Sequence, residues 1–355
     1  MEETKSLPVV ECYGTPYEIG MQIGNACKGE ILFSLEDSLS ILARGYQTEI
    51  DHVIAEASKF IPATQAYDPE LIQQLQGQAD ALGISFQRMF ALRTILELSF
   101  YYRNILGLCT SFAASGKVTA DGKTILGQNI DWYPRYSMYL LKIHHRSGIR
   151  QLALSLGGIV EYTLSSAGFG MCANSLFTET GTYRFNIPLA CYLPKVMRQF
   201  SFKDAVDLLQ QMARGVGYYH LASASGEMVG IESVFDDVEM IEPHHDLLFH
   251  TNCYCTERFQ AHDMAATILP DSLKRRERMQ HLLGQHAGSI TPETMMKILS
   301  DHQDYPVSIC RHPDPHKTAI WEMQTLASFI MVPEEGIMYI ANGNPCSNEF
   351  LIYSI

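Results

Sequence analysis

Cys109 opens a segment whose residue types suit nucleophilic chemistry. Gly107-Leu108-Cys109-Thr110-Ser111-Phe112 sets a thiol beside two small hydroxyl residues, and Gly127-Gln128-Asn129-Ile130-Asp131-Trp132 brings amides and a carboxylate a short way on. Ala120-Asp121-Gly122-Lys123 lies between them as a turn signal, so the two stretches read as a hairpin. A partly ionised thiol is a strong nucleophile near neutral pH. None of the thirteen histidines stands in an evident Cys/His signature, so the thiol needs a base of another kind.

The elements that would position these residues change character along the chain. Leu7–Tyr13 reads as a short strand, and Gly14-Thr15-Pro16 as a turn into a helix. Helical spacing of apolar residues then continues through Leu42, around His52–Phe60, over Pro69–Leu82 and over Ser85–Tyr101. From Cys109 to Phe185 strand-length segments alternate with Gly-containing turns. Two helices (Leu189–Phe200 and Phe202–Ala213) precede further strands at Tyr219–Ala224, Glu227–Ser233, Val238–Ile241 and Leu247–Asn252. Helices at Leu273–Leu283 and Pro292–Leu299 lead into strands at Thr325–Val332, Gly336–Ala341 and Glu349–Ile352. Strands, helices and strands again predict an α+β fold in which two sheets lie between helical layers. No repeat or low-complexity linker divides the chain.

The composition bounds the function. At 355 residues with 46% hydrophobic and 18% charged content, the chain has enough apolar material for a substantial core. A formal net charge of −13 argues against nucleic acid as a partner, because phosphate binding needs clustered Lys and Arg. No run approaches the ~18–20 apolar residues of a membrane span, and the acidic start carries no secretory signal pattern, so a cytoplasmic location is expected. The nine cysteines are odd in number and scattered, which predicts small buried thiols rather than a disulfide framework.

Several short motifs, taken in chain order, resemble one family. They are Gly14-Thr15-Pro16-Tyr17-Glu18-Ile19-Gly20, Cys109-Thr110-Ser111, Gly127 to Trp132, Thr251-Asn252, Cys310-Arg311-His312, Thr325-Leu326-Ala327-Ser328 and Asn342-Gly343-Asn344-Pro345-Cys346. The family is that of acyl-coenzyme A:6-aminopenicillanic-acid acyltransferase (isopenicillin-N N-acyltransferase), within the cysteine N-terminal nucleophile hydrolases. The resemblance implies a four-layer αββα sandwich, with residues 1–108 as a mostly helical segment packed on a catalytic core of residues 109–355. It also implies self-cleavage between Leu108 and Cys109, which gives Cys109 a free α-amine. Such an amine has a reference pKa of ~7.7–8.0 and can take the thiol proton itself. Leu108 departs from the pattern, since family members often carry Gly there and here Gly107 lies one residue earlier.

On this reading Cys109 attacks a linear amide and forms an S-acyl enzyme. Asp131 orients the amine or thiol, Asn252 donates to the oxyanion, Arg311 supplies positive charge, and Asn174 is a second oxyanion candidate resembling one in bile-salt-hydrolase relatives. Thr110, Asn129, Trp132 and Phe169 are candidate substrate-binding residues. Each also has a plainer reading. Asn252 and Asn174 could satisfy backbone groups at strand ends, Arg311 could be an ordinary ion pair, and Asn129 and Trp132 could hold a turn and a core. An amidohydrolase is the leading function and acyl transfer to an amine the alternative. A non-catalytic, uncut binding protein on the same fold is the alternative of another class; an accessible Cys109 of low pKa would count against it. The expected partner is a small acyl-amide or acyl-thioester, with a homo-oligomer open.

No phosphate-binding or dinucleotide motif is present, so no cofactor is expected. Cys253-Tyr254-Cys255, His244-His245, His250, Cys310-Arg311-His312 and His316 raise the question of a metal. No two pairs among them stand at zinc-ligand spacing, so none is expected.

Overall fold

The thiol segment lies inside a β-ladder rather than at a free chain end. The computed structural model describes residues 7–101, 107–178, 185–211, 216–234, 237–318 and 322–355. The first strand, β1 (Val9–Gly14), is followed by seven helices: α1 (Pro16–Ala26), α2 (Lys28–Tyr46), α3 (Ile50–Ser58), α4 (Ile61–Tyr67), α5 (Pro69–Leu82), α6 (Phe86–Leu92) and α7 (Ile95–Tyr101). Thr15 caps α1 in a full capping box with Glu18, as the Thr-Pro signal predicts. Asp68 caps α5 through the Leu71 N–H. The expected single helix over 85–101 is two, because Arg93 and Thr94 turn the chain between them.

The rest of the chain supplies β2 (Leu108–Ala114), β3 (Ile125–Trp132), β4 (Met138–His145), β5 (Arg150–Leu156), β6 (Val160–Ser165) and β7 (Phe169–Asn174). Helices α8 (Leu189–Met197) and α9 (Phe202–Gln211) follow, then β8 (Gly217–Ser223), β9 (Met228–Val234), β10 (Asp237–Ile241) and β11 (Leu247–His250). Helices α10 (Glu257–Gln260), α11 (Ala265–Ile268), α12 (Pro270–Gln285) and α13 (Pro292–Leu299) lead to β12 (Gln324–Val332), β13 (Ile337–Asn342) and β14 (Leu351–Ser354). Among the described residues one sheet runs β1-β4-β5-β6-β7-β8-β9-β10 and the other β11-β2-β3-β12-β13-β14.

The two sheets face each other through β2 and β3 against β7. Gln128 bridges them, donating to the Ala173 carbonyl at 3.2 Å and accepting from its N–H at 3.0 Å. Helices α8 and α9 cover the larger sheet at β6 and β8; α12 and α13 cover the smaller one at β11, β3 and β12. The layers are therefore helix, sheet, sheet, helix, as the order of elements predicts. Alternation along β2 and β3 then decides which layer each side chain meets.

Residues 1–108 are not a separate body. β1 pairs in parallel with β4, so the N-terminal segment supplies an edge strand of the larger sheet. α1 crosses α5 with backbones in contact: a Cβ at Gly20 would lie 1.9 Å from the Gln74 carbonyl oxygen. The boundary expected at Leu108 falls inside β2, where Leu108 pairs with Asp131. The connection from β2 to β3 is longer than a tight hairpin, because a 3-10 turn at Gly116–Val118 precedes the Asp121-Gly122 turn.

Candidate active site

Cys109 is the second residue of β2, and its cross-strand partner is Ile130. Its side chain therefore points between the sheets, where the Tyr162 hydroxyl on β6 faces the thiol across a shared cavity. Asp131 and Thr110 occupy the opposite face, toward α12. Trp132, Val160, Tyr162, Ala173, Leu96 and Leu189 line a cavity at Cys109 of about 20 Å³, room for about one water. Gly107 also lines it, with φ of +82°; a Cβ there would stand 2.4 Å from Trp132 Cζ3. Glycine just before the Leu108–Cys109 bond is thus required by contact as well as by dihedral.

The peptide unit around Cys109 is held from both sides. Its N–H donates to Asn252 Oδ1 at 3.0 Å. Arg275 on α12 donates to the Cys109 carbonyl at 2.7 Å, to Thr110 Oγ1 at 2.8 Å and to Asn252 Oδ1 at 3.0 Å. Two donors on one atom fix the Asn252 amide orientation. Its Nδ2 therefore faces the other way, onto the Ser175 carbonyl at 2.9 Å. The Asn252 backbone N–H is in turn held by Ser272 Oγ at 2.8 Å.

Behind the clamp lies a buried quartet of two anions and two cations. Asp271 accepts from Arg275 Nε at 3.0 Å and from Arg311 Nη1 at 2.9 Å. Its carboxyl is held below the usual range, the two guanidinium charges and their hydrogen bonds overcoming burial, the largest single influence. Asp131 accepts from Thr325 Oγ1 at 2.7 Å through Oδ1, while Oδ2 has no hydrogen-bond partner among the described residues. Burial pushes the Asp131 carboxyl up to about 6, against the pull of Arg275 and Arg311. A β-bulge in β12 between Thr325 and Ala327 sets Thr325 at this position.

The sign of the Asp131 effect on stability follows directly. Its folded-state value of about 6 lies above the unfolded ~3.9, so the native chain binds the proton more tightly. The cost of the buried charge is absent below about pH 4 and fully present above about pH 6. In the Cys109→Ala background, where no thiol is present at this position, Asp131→Asn should therefore gain about 1–2 kcal/mol relative to its parent between pH 4.5 and 7. Urea unfolding at the two pH values measures this; parallel changes in both proteins would contradict it.

Of the expected catalytic residues, the structure gathers Cys109, Asp131, Asn252 and Arg311 around one clamp. Asn174 lines the cavity, but both of its N–H groups are engaged, with the His250 carbonyl at 3.1 Å and the Thr251 carbonyl at 2.9 Å. What it presents without a partner is Oδ1, an acceptor, so it is placed wrongly for an oxyanion donor. Trp132 lines the cavity. Thr110, expected at the substrate, lies away from the cavity, because alternation turns it to the helical face where Arg275 takes its hydroxyl. Asn129 shares that face and clamps the Leu299 and Ile309 carbonyls, each at 2.8 Å. Phe169 lies at the far end of β7, about 16 Å of strand from Asn174, packed on Phe202.

With the Leu108–Cys109 bond in place, Cys109 lacks the accessibility expected of a reactive thiol. Cys109 is 4% exposed, and burial pushes its thiol up to about 12, with Asp131 adding to the rise and Arg275 opposing it. The amine that would activate it does not exist while the Leu108–Cys109 bond is intact.

Sequence reading missed Asp271, Arg275 and Tyr162. Spacing carried a signal for the first two. The helix expected at Leu273–Leu283 starts at Pro270, and its buried face is Asp271, Ser272, Arg275, Met279, Leu282 and Leu283, with Leu273 exposed. Charges at i and i+4 on an otherwise apolar stripe mark a buried pair. Tyr162 had no local signal, since only the stacking of the sheets brings it to the thiol.

Residues 197–347 match the family model described as "Acyl-coenzyme A:6-aminopenicillanic acid acyl-transferase". The 40 kDa form of acyl-coenzyme A:6-aminopenicillanic-acid acyltransferase from Emericella nidulans is 24% identical over 310 residues, covering 85% of this chain and 84% of that one. The chain is thus similar to this acyltransferase. The stretch matching the family model carries Asn252, Asp271, Arg275 and Arg311; the relative's alignment extends over most of the chain. Among solved structures, a mutant of conjugated bile acid hydrolase from Clostridium perfringens is similar at 12% identity and a TM-score of 0.43, covering 70% of this chain and 97% of that one. Penicillin V acylase from Agrobacterium tumefaciens is similar at 12% identity and a TM-score of 0.43, covering 66% of this chain and 83% of that one. Among the described residues no helix is long and apolar enough to cross a membrane.

Proposed function

We propose that this chain is a carbon–nitrogen amidohydrolase of the cysteine N-terminal nucleophile type, which acts on a linear N-acyl amide after cutting itself at Leu108–Cys109. The observation that carries this reading is the clamp on the Cys109 backbone: Asn252 on its N–H and Arg275 on its carbonyl. A structural cysteine needs no buried arginine and asparagine holding its own peptide group. An N-terminal nucleophile needs its amine held after cleavage.

In self-cleavage the Cys109 sulfur bonds to the Leu108 carbonyl carbon. The C–N bond breaks, and the thiol proton ends on the Cys109 nitrogen, giving a thioester. Water then hydrolyses the thioester, releasing the Leu108 carboxylate and restoring the thiol. Asn252 Oδ1 already holds the nitrogen that becomes the amine. Asp131 pairs across the ladder with Leu108, and its unpaired Oδ2 is the carboxylate oxygen left available to the new ammonium. In turnover the amine takes the thiol proton, sulfur attacks the substrate carbonyl, and the proton passes to the leaving amine. One N–H of Asn252 Nδ2 is engaged with the Ser175 carbonyl, which leaves the other to donate to the developing oxyanion. The edge strand β1 keeps the N-terminal fragment bound after the cut.

Asn252 separates two roles in one experiment. Asn252→Ala should lower kcat about 10²–10³-fold. Asn252→Asp keeps an acceptor for the amine and loses the donor. If Nδ2 stabilises the oxyanion, Asp should be as impaired in kcat as Ala; recovery by Asp to within a few-fold of wild type would remove the oxyanion role. Transfer of the acyl group to an amine is the second reading, favoured by the acyltransferase name of the Emericella nidulans relative. Partition of a common S-acyl enzyme between water and added amine decides between them.

A further inference from the structure

We propose that His302, Cys310, His312 and Cys346 form a structural zinc site, which staples the loop around Arg311 to the turn after β13. The four donor atoms lie within 4.8 Å of one another. His312 Nε2 stands 3.1 Å from His302 Nε2, 3.6 Å from Cys310 Sγ and 3.5 Å from Cys346 Sγ. Tetrahedral zinc with Zn–N of ~2.05 Å and Zn–S of ~2.3 Å requires N···N near 3.3 Å and N···S near 3.6 Å. Three separations from one nitrogen thus meet the geometry of one ion.

The donor set fits the metal as well as the distances do. Two thiolates and two neutral imidazoles are a common zinc complement, and they cancel the charge of the ion. On binding, the two thiols release their protons to solvent, no electron moves, and four ligand bonds form. All four positions are filled by protein, so the site is closed and offers no place for substrate or an activated water. Asn344 Nδ2 already donates toward Cys310 Sγ at 3.5 Å and to the Arg311 carbonyl at 2.7 Å, as an outer support of a thiolate would. Cys310 is buried while His302 and Cys346 are exposed, which gives the ion a path in from solvent.

Chain spacing concealed this set. Cys310-x-His312 was visible, but its partners come from 8 residues before Cys310 and 36 after it, at no ligand spacing. His316, the neighbour singled out from the sequence, is not among the four. A second cluster, Glu232, His250 and Cys255, makes a useful contrast. There the carboxylate already accepts from His250, the Cys255 and Thr256 N–H groups and the Thr256 hydroxyl, so hydrogen bonds account for it.

The consequence for the molecule lies in Arg311, held between two ligands in sequence. Its guanidinium bonds Asp271, which bonds Arg275, which holds the Cys109 carbonyl. Zinc would fix the backbone at the outer end of this chain of contacts, which makes the ligands positioning residues rather than catalytic ones.

The test uses the full-length chain, without a histidine tag, dialysed against zinc chloride and then against buffer. Elemental analysis should find one zinc per wild-type chain and less than a tenth of that in His302→Ala/Cys346→Ser. Both altered side chains are exposed, and circular dichroism checks that the variant is folded. Cobalt substitution of the wild type should give the thiolate-to-cobalt charge-transfer band and the intense visible bands of tetrahedral cobalt. No retained zinc in the wild type, equal zinc in the double variant, or a cobalt spectrum without thiolate ligation would each overturn the proposal. So would a Cys310–Cys346 disulfide as the dominant form in protein purified without reductant.

Discussion

Cys109→Ala is expected to turn over no acyl amide, with kcat/KM reduced by at least ~10⁴-fold, while the fold persists. Removing the nucleophile of a covalent enzyme removes the step to which every other group contributes, so the loss is far larger than for any supporting residue. The structural cost is small by comparison, because alanine leaves the backbone clamp of Asn252 and Arg275 in place. Cys172 is the appropriate control. It is a fully buried thiol on β7 whose own pKa is raised by burial and then by Cys109, so it shares the neighbourhood without facing the clamp. Cys172→Ala should keep kcat/KM within a few-fold of wild type. A slow acyl substrate should leave an S-acyl adduct on the Cys109 peptide in the wild type and none in Cys109→Ala. Loss of activity in both variants alike would point to packing between the sheets and away from a nucleophile.

Arg275→Ala is expected to be the most damaging change outside the thiol, and to act on stability first. Arg275 is 2% exposed and makes four hydrogen bonds, to Asp271, the Cys109 carbonyl, Thr110 and Asn252. Removing one member of a buried ionic set leaves the others uncompensated, at about 3–5 kcal/mol. Here the residual set would be Asp131, Asp271 and Arg311, two anions against one cation. Arg275→Lys keeps the charge but loses the planar fork that reaches several acceptors at once. It should recover part of the stability and little of the activity. Urea unfolding gives the first quantity and acyl-amide turnover the second. Full activity in Arg275→Lys would mean that charge alone suffices and that the geometry of the clamp is incidental.

The fold was legible because its layers have different periods. Helical spacing before Tyr101, strand-length runs after Cys109 and helices again at 189–211 and 270–299 fix the order of layers. What spacing cannot carry is the pairing between distant segments. β1 looked like a prelude to the helices, yet it is an edge strand beside β4. The candidate site divides along the same line. Cys109 and Asp131 lie on adjacent strands of one ladder, so their proximity could be read from a turn signal and a count of residues. Arg275 and Tyr162 come from other layers, and only three-dimensional packing brings them to the thiol. Thr110, Asn129 and Phe169, expected at the substrate, lie away from the cavity for the reverse reason. They are neighbours in sequence of residues at the site, and strand alternation or strand length carries them away from it.

The central claim is that this chain makes its own N-terminal nucleophile, and the denatured intact mass of freshly purified protein tests it most directly. The account predicts two fragments that divide between Leu108 and Cys109 in the wild type, co-purifying because β1 remains in the sheet, and one full-length chain in Cys109→Ala. A single uncut chain in the wild type, stable through prolonged incubation at pH 8 and without amide turnover, would contradict it and leave a non-catalytic protein on this fold.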